Sequence, residues 1–499
     1  MSEVPDGGRT SAAGPGGITA ANGKPAVAES AGTGPSSARW AVLVVVCLAQ
    51  LMVFLDGLIV TVALPSIRAD LGFTSSGLQW VVNAYTTTFA GFLLFGGRLA
   101  DFFGQRRIFL ASLAVFVLTS MVGGLAPDAG TLVVARAVQG ISSAALSPVT
   151  LTILTTTFPA GAARSRALGV WSAVGAAGGA AGALLGGVLT ESLGWRWILF
   201  INLPIGVAVL IGAWCTLPRG RGAAARVRLD VAGATLITVG LVALVYGIVT
   251  SDDRGWADPV TLGALGMGVA LTGAFLAHQR WWAKAPLLPL NFFAAGSVGM
   301  ANLVMFFLGA AFFTSYYLLS LYVQNVLHYS PLAAGLVFLP ATAAVAAGAQ
   351  VSGRLLARWG TRPLAVVGAV LAACGFGVLS TIDGAGTYLG TLAGPTVLFS
   401  FGIGLAFTPI TVAATSGVEP ARAGLASGIL NTTRQVTGAL AIAVFTTVAT
   451  THTRTLVGSG RSGLEEALAA GYGRAFLAGA AASVLAAALA LRLRAARPR

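Results

Sequence analysis

The chain has 499 residues, of which 56% are hydrophobic and only 9% charged, and it carries a formal net charge of +14. A soluble domain carries about 25% charged residues, so this composition excludes a single water-soluble core and points to repeated bilayer-crossing segments. The 66 glycines suit helices that pack closely through small residues in lipid.

Residues 1–38 are rich in glycine, alanine, serine and proline and read as a disordered tail. The first apolar run then acts as an uncleaved insertion signal. Apolar windows of about 20 residues predict spans at 41–65, 78–99, 108–127, 131–155, 167–190, 196–217, 230–250, 259–280, 297–324, 332–353, 364–382, 388–415, 424–449 and 472–491. This is an all-α polytopic membrane protein of about fourteen spans. Alternate loops put 22 of the 30 Lys and Arg residues on the side that carries both tails and 6 on the other. Positive loops stay cytoplasmic, so both termini are expected inside, and topology rather than a nucleic-acid partner accounts for the surplus charge. The three cysteines and three histidines are scattered singly, which predicts no disulfide framework, no metal site and no cofactor. Neither G-x4-G-K-[ST] nor a nucleophile elbow occurs, so direct ATP use and enzyme activity are not expected.

The chain also repeats itself. "GRLADFFGQR" (Gly97–Arg106) has a partner in "GRLLARWGTR" (Gly353–Arg362), 256 positions on, and "SPVTLTILTTTFP" (Ser147–Pro159) echoes "TPITVAATSGVEP" (Thr408–Pro420). Two related halves around a central cavity are a transporter architecture. The expected division is a six-helix half over 39–217, a linker with two extra transmembrane helices over 218–290, a second six-helix half over 291–491 and a basic tail over 492–499.

Four stretches then belong together: "LDGLIVTVALP" (Leu55–Pro65), "GRLADFFGQRR" (Gly97–Arg107), "LVVARAVQGISSA" (Leu132–Ala144), and a glycine series at Gly169, Gly178, Gly182, Gly186 and Gly187. With "GWRWILFINLPIG" (Gly194–Gly206) and "GILNTTRQVTGAL" (Gly428–Leu440), they resemble the major facilitator superfamily, specifically its fourteen-span drug:proton antiporters. The resemblance implies a major facilitator fold in a bacterial plasma membrane, with a monomer as the working unit. It also implies proton-driven export of small amphipathic compounds, as in drug or antibiotic efflux and self-resistance. An uptake symporter on the same fold is the alternative, because Ala183 stands where the antiporter pattern G-x8-G-x3-G-P-x2-G-G has proline. A membrane sensor or enzyme on this scaffold is a more distant alternative.

Asp56 is the sole carboxylate deep within the predicted spans. A charge at the bilayer centre costs about 2.5–3.5 kcal/mol on insertion scales, so it calls for a partner or a use. At 1.5 Å per residue Asp56 lies about 14 Å from the outer end of its span, and Arg136 of the antiparallel fourth span about 8 Å from the same face. A long arginine bridges such a gap. A nearby cation favours the charged carboxylate and burial the neutral one, a balance that suits a proton carrier. A static ion pair that fixes helix register is the alternative. The resemblance ties the arginine to proton transfer and the acid to coupling.

In the loop motif, Gly97 and Gly104 permit a tight turn, Asp101 suits a neighbouring helix N-terminus, and Arg106 and Arg107 anchor the loop in the cytoplasm. The resemblance implies that this loop latches the two halves, with Ala357 replacing the aspartate in the second copy. The span-five glycines predict close helix packing, with or without a bearing on coupling direction. Substrate-lining candidates are Asn83 and Tyr85 in the second span and Asn302, Phe306, Phe313, Tyr316 and Tyr317 in the ninth. Asn431, Arg434 and Gln435 in the thirteenth complete them. Arg434, near mid-membrane, calls for a packed polar partner or a place on the cavity. With one deep carboxylate, monovalent or neutral cargo is expected to outcompete dications.

Overall fold

A computed structural model describes residues 36–158, 162–218, 229–294, 297–382, 387–415, 418, 423–459 and 463–493. These residues contain no strand. They form α1 (Ser36–Leu71), α2 (Ser75–Phe103), α3 (Gln105–Gly124), α4 (Ala129–Thr157), α5 (Ala162–Ser192), α6 (Trp197–Phe200) and α7 (Asn202–Thr216). After these come α8 (Val231–Arg254), α9 (Pro259–Ala277), α10 (Val298–Asn325), α11 (Pro331–Trp359), α12 (Thr361–Leu379), α13 (Ala393–Thr415), α14 (Ala423–Gly458) and α15 (Leu464–Ala490). Of the expected tails, residues 1–35 and 494–499 lie outside the described residues, as does the stretch 219–228 of the expected linker.

Among the described residues, twelve helical stretches are long and apolar enough to cross a membrane. α2 and α5, at 29 and 31 residues, also have the length. α2 is the more polar of the pair for a visible reason: Gln79, Asn83 and Thr86–Thr88 lie along it. Short side-chain acceptors mark where helices start. Thr74, Asp128, Asp230, Asp258 and Ser330 each accept a backbone N–H at the first turn of α2, α4, α8, α9 and α11. The predicted span at 196–217 is divided into α6 and α7 at Ile201. Pro204 is the cause, since it offers no N–H to the Phe200 carbonyl four residues back and its ring crowds that carbonyl.

The sequence repeat has a structural counterpart. Gly104, at φ +92°, joins α2 to α3, and Gly360, at φ +77°, joins α11 to α12. Both need the left-handed region that glycine alone enters cheaply. Pro148 lies within α4 and Pro409 within α13, which pairs the second echo in the same way.

α1 packs on α5, α2 and α3 pack on α4, and α7 lies against α1 and α3. In the second set α13 contacts α11 and α12, α12 contacts α15, and α10 contacts α14 and α15. α8 and α9 pair with each other, and α8 rests on α2 and α14. The two sets are hydrogen-bonded to each other towards the end where α1 finishes. There Ser320 Oγ donates to the Thr61 carbonyl and Gln324 Nε2 to the Val62 carbonyl, each at 3.0 Å. Glu191, at the close of α5, accepts the Leu332 N–H at 2.9 Å in the first turn of α11. Hydrogen bonds from Ser330 and Leu332 hold the Glu191 carboxyl below the usual carboxylate range. This contact is therefore present at neutral pH and lost only as pH falls through that lowered value.

Candidate functional site

Asp56 in α1 is 0% exposed and Arg136 in α4 is 1% exposed. Arg136 Nη1 donates to Asp56 Oδ2 at 2.5 Å. The other carboxylate oxygen, Oδ1, accepts from Gln139 Nε2 at 2.9 Å and from Asn202 Nδ2 at 3.0 Å. Both amides also donate to Ser120 Oγ on α3, at 2.7 and 3.0 Å. Arg136 in turn donates to Gln139 Oε1 at 2.8 Å and, through Nε, to the Val81 carbonyl at 3.2 Å. Its guanidinium sits 4.4 Å above the centre of the Tyr85 ring, an orientation that adds a cation–π attraction. The Tyr85 hydroxyl donates to Ser143 Oγ at 3.1 Å.

Four helices thus supply the polar cage and α2 supplies the aromatic floor. α4 contributes Arg136 and Gln139 because residues three apart share a helix face. α7 contributes Asn202 because the break at Ile201 starts a new helix at that residue. Gln139, Asn202 and Ser120 are functional candidates that the sequence reading did not single out. Gln139 was detectable as a polar neighbour of Arg136 at helical spacing. Asn202 lies inside the quoted motif Gly194–Gly206 but 146 positions from Asp56, and Ser120 is an ordinary helix serine in the sequence, so nothing local pointed either of them at the carboxylate.

The motif glycines divide by partner. A Cβ on Gly178 would lie 3.1 Å from the Leu51 side chain, on Gly182 2.8 Å from the Leu55 carbonyl, and on Gly186 2.6 Å from the Ile59 carbonyl. These three press α5 against the segment of α1 that carries Asp56. Gly187 instead faces α11, with Pro331 O 2.4 Å from its would-be Cβ, and Gly169 has nothing within 4 Å. Ala183, at the position of the missing proline, turns its carbonyl to Gly335 of α11.

The motif expected as a loop is helical except at Gly104: Gly97 lies within α2 and Arg106 and Arg107 in the first turn of α3, where Arg106 Nη2 donates to the Trp214 carbonyl at 2.9 Å and stacks 4.8 Å over that indole ring. Arg107 is exposed, and Gly97 faces Pro148 across 3.8 Å. Asp101 falls within α2, but its side chain lies outside the described residues.

The substrate-lining candidates fall into separate places. Tyr85 belongs to the Asp56 cage. Asn83, two residues earlier on α2, is fully buried with no partner for either amide atom among the described residues. Tyr316 is packed in the core, stacked on Phe338 with ring centroids 5.3 Å apart. Tyr317 lines a cleft of about 670 Å³ at the joined end of the bundle. On α10 and α14, Thr433 Oγ1 donates to Asn302 Oδ1 at 2.7 Å and Arg434 Nη2 donates to Asn431 Oδ1 at 3.0 Å. Gln435 is half-buried next to Arg434, Phe313 lies on Gly438, and Phe306 packs edge-on against Phe307. The structure therefore unites Asp56, Arg136 and Tyr85, pairs Asn431 with Arg434, and joins Asn302 to Thr433.

A bundle of long apolar helices with a charged pair sealed inside it defines a polytopic membrane transporter. The chain belongs to the Major Facilitator Superfamily, whose family model matches residues 46–442. It is 45% identical over 448 residues to the cephamycin export protein CmcT of Amycolatopsis lactamdurans, covering 89% of this chain and 90% of that one. It is 42% identical over 428 residues to the puromycin resistance protein pur8 of Streptomyces alboniger, covering 85% and 84%. Among solved structures, a bacterial homologue of the human lysosomal transporter Spinster, inward-facing and occupied, has a TM-score of 0.67 at 17% identity. That likeness covers 92% of this chain and 98% of the other. It is a likeness of fold.

Proposed function

We propose that this transporter exports amphipathic organic compounds, antibiotics or drugs among them, from the bacterial cytoplasm in exchange for protons. The observation that carries the proposal is the Asp56–Arg136 pair, buried to 0% and 1% exposure and enclosed by amide donors. Both aligned relatives bear names of antibiotic export or resistance, which supports the cargo class. With α2 and α5 counted, the chain crosses the membrane fourteen times with both termini inside. Residues 39–217 and 291–491 are the two moving halves, with 218–290 inserted between them.

In this reading the halves meet at the outer end, through α1 with α10 and α5 with α11. Adding a proton to Asp56 removes the counter-charge of a buried guanidinium, an uncompensated charge that is costly in a water-poor interior. Arg136 must then find another acceptor, and the helices that meet at Asp56 shift against each other. Arg106, Arg107 and Asp101 latch the loop in one state, and a monomer is the working unit.

The test is a susceptibility panel on cells expressing the wild-type protein, paired with efflux measured with and without a protonophore. Protection and efflux that collapse with the proton gradient are expected. Efflux that persists without the gradient would overturn proton coupling, and gradient-driven accumulation would establish the symporter instead.

A further inference from the structure

The bundle holds two arginines at depth, and their surroundings differ. Arg136 has a carboxylate, an amide oxygen, a backbone carbonyl and an aromatic face. Arg434 lies eleven residues into α14, about 17 Å from its start at 1.5 Å per residue. Among the described residues its acceptor is Asn431 Oδ1, and its buried Nε has none. No Asp or Glu occurs within α10, α11, α12, α13 or α14, and in α15 only Glu465 and Glu466 of the first turn. A guanidinium presents five donors in a planar fork that matches a carboxylate, and among the described residues Asn431 Oδ1 is the acceptor seen for it while its Nε has none. Asn431, Arg434 and Gln435 are each partly exposed although they sit inside the bundle.

An aromatic ring, that of Phe313, lies along the same helix interface as Arg434. A Cβ on Gly309 of α10 would lie 3.9 Å from Arg434 Cγ, and one on Gly438 would lie 2.9 Å from the Phe313 ring. Gly438 is one helical turn beyond Arg434, so the Arg434 stem and the Phe313 ring both lie along the α10–α14 interface, about one turn apart. At the joined end, the cleft of about 670 Å³ contains Arg68 and Arg454, the latter paired with Asp253, and no carboxylate among the residues that line it.

We propose that Arg434 is the anion-binding centre of the cargo site and that the transported class is an amphipathic organic carboxylate. Its charged end forks onto Arg434 and its apolar body lies along Phe313. This assignment rests on the export reading and narrows its cargo to one charge type. It also makes transport electrogenic, because a proton entering and an anion leaving both move positive charge inward.

The test uses the purified full-length protein, with 1-pyrenebutyrate and its methyl ester as fluorescent probes, in gluconate and in chloride buffer. Wild type is expected to bind the acid at least about tenfold more tightly than the ester. Arg434→Gln is expected to erase that preference while keeping ester affinity, Arg434→Lys to restore part of it, and Phe313→Ala to weaken both probes alike. Equal binding of acid and ester by wild type, or a preference that survives in Arg434→Gln, would overturn the proposal. So would loss of the preference in chloride, which would make Arg434 the seat of an inorganic counter-ion. Where Arg434→Gln does not fold, the wild-type comparison and Arg434→Lys decide. Export of neutral amphiphiles without any carboxylate preference removes the anion site and leaves the export reading standing. Failure to export either kind ends both.

Discussion

Asp56 and Arg136 could be paired from the sequence because each is a charge in an apolar run and each lies a short distance from the same helix-end plane. What the sequence withheld was the cage. Gln139, Asn202 and Ser120 come from three helices, and only the tertiary fold turns them onto one carboxylate. The cage sharpens a prediction about stability. Asp56→Asn leaves Arg136 buried without a counter-charge and is expected to cost about 3–5 kcal/mol. Removing both charges, with Asp56→Asn and Arg136→Gln together, should return most of that loss. Thermal unfolding of the wild type and the two variants in detergent measures it. Equal loss in the single and double variants would mean that the pair contributes no mutual charge compensation.

At the level of elements, the glycine spacing in α5 announced close packing without naming the partners. Gly182 and Gly186 press on the backbone of α1 at Leu55 and Ile59, on either side of Asp56, whereas Gly169 faces open space. Gly186→Ala should therefore cost about 1–3 kcal/mol through overpacking and disturb the placement of Asp56. Gly169→Ala should stay within about 0.5 kcal/mol of wild type. Melting curves and a transport assay of the two variants separate these outcomes, and indistinguishable effects would contradict the packing account. The repeat was legible at this scale because Gly104 and Gly360 do the same backbone work at two helix junctions. The division of the sixth predicted span was not, since a hydropathy window averages over Pro204 and sees one continuous apolar run.

For the whole molecule, charge bias and internal repetition gave a two-lobed transporter before any coordinates, because insertion and duplication both leave marks in composition. Which end of the lobes is joined left no such mark. It depends on a few cross-lobe contacts, Ser320 with Thr61, Gln324 with Val62 and Glu191 with Leu332, each between residues far apart in the chain. These contacts join the two sets at the end where α1 finishes, and in the proposed exchange a proton reaches Asp56 before that arrangement gives way to its opposite. The direct measurement is transport by Asp56→Asn in proteoliposomes under an imposed pH gradient. The account predicts that the variant still equilibrates cargo downhill but no longer concentrates it against its gradient. Uphill pumping by the amide at the wild-type rate would contradict it.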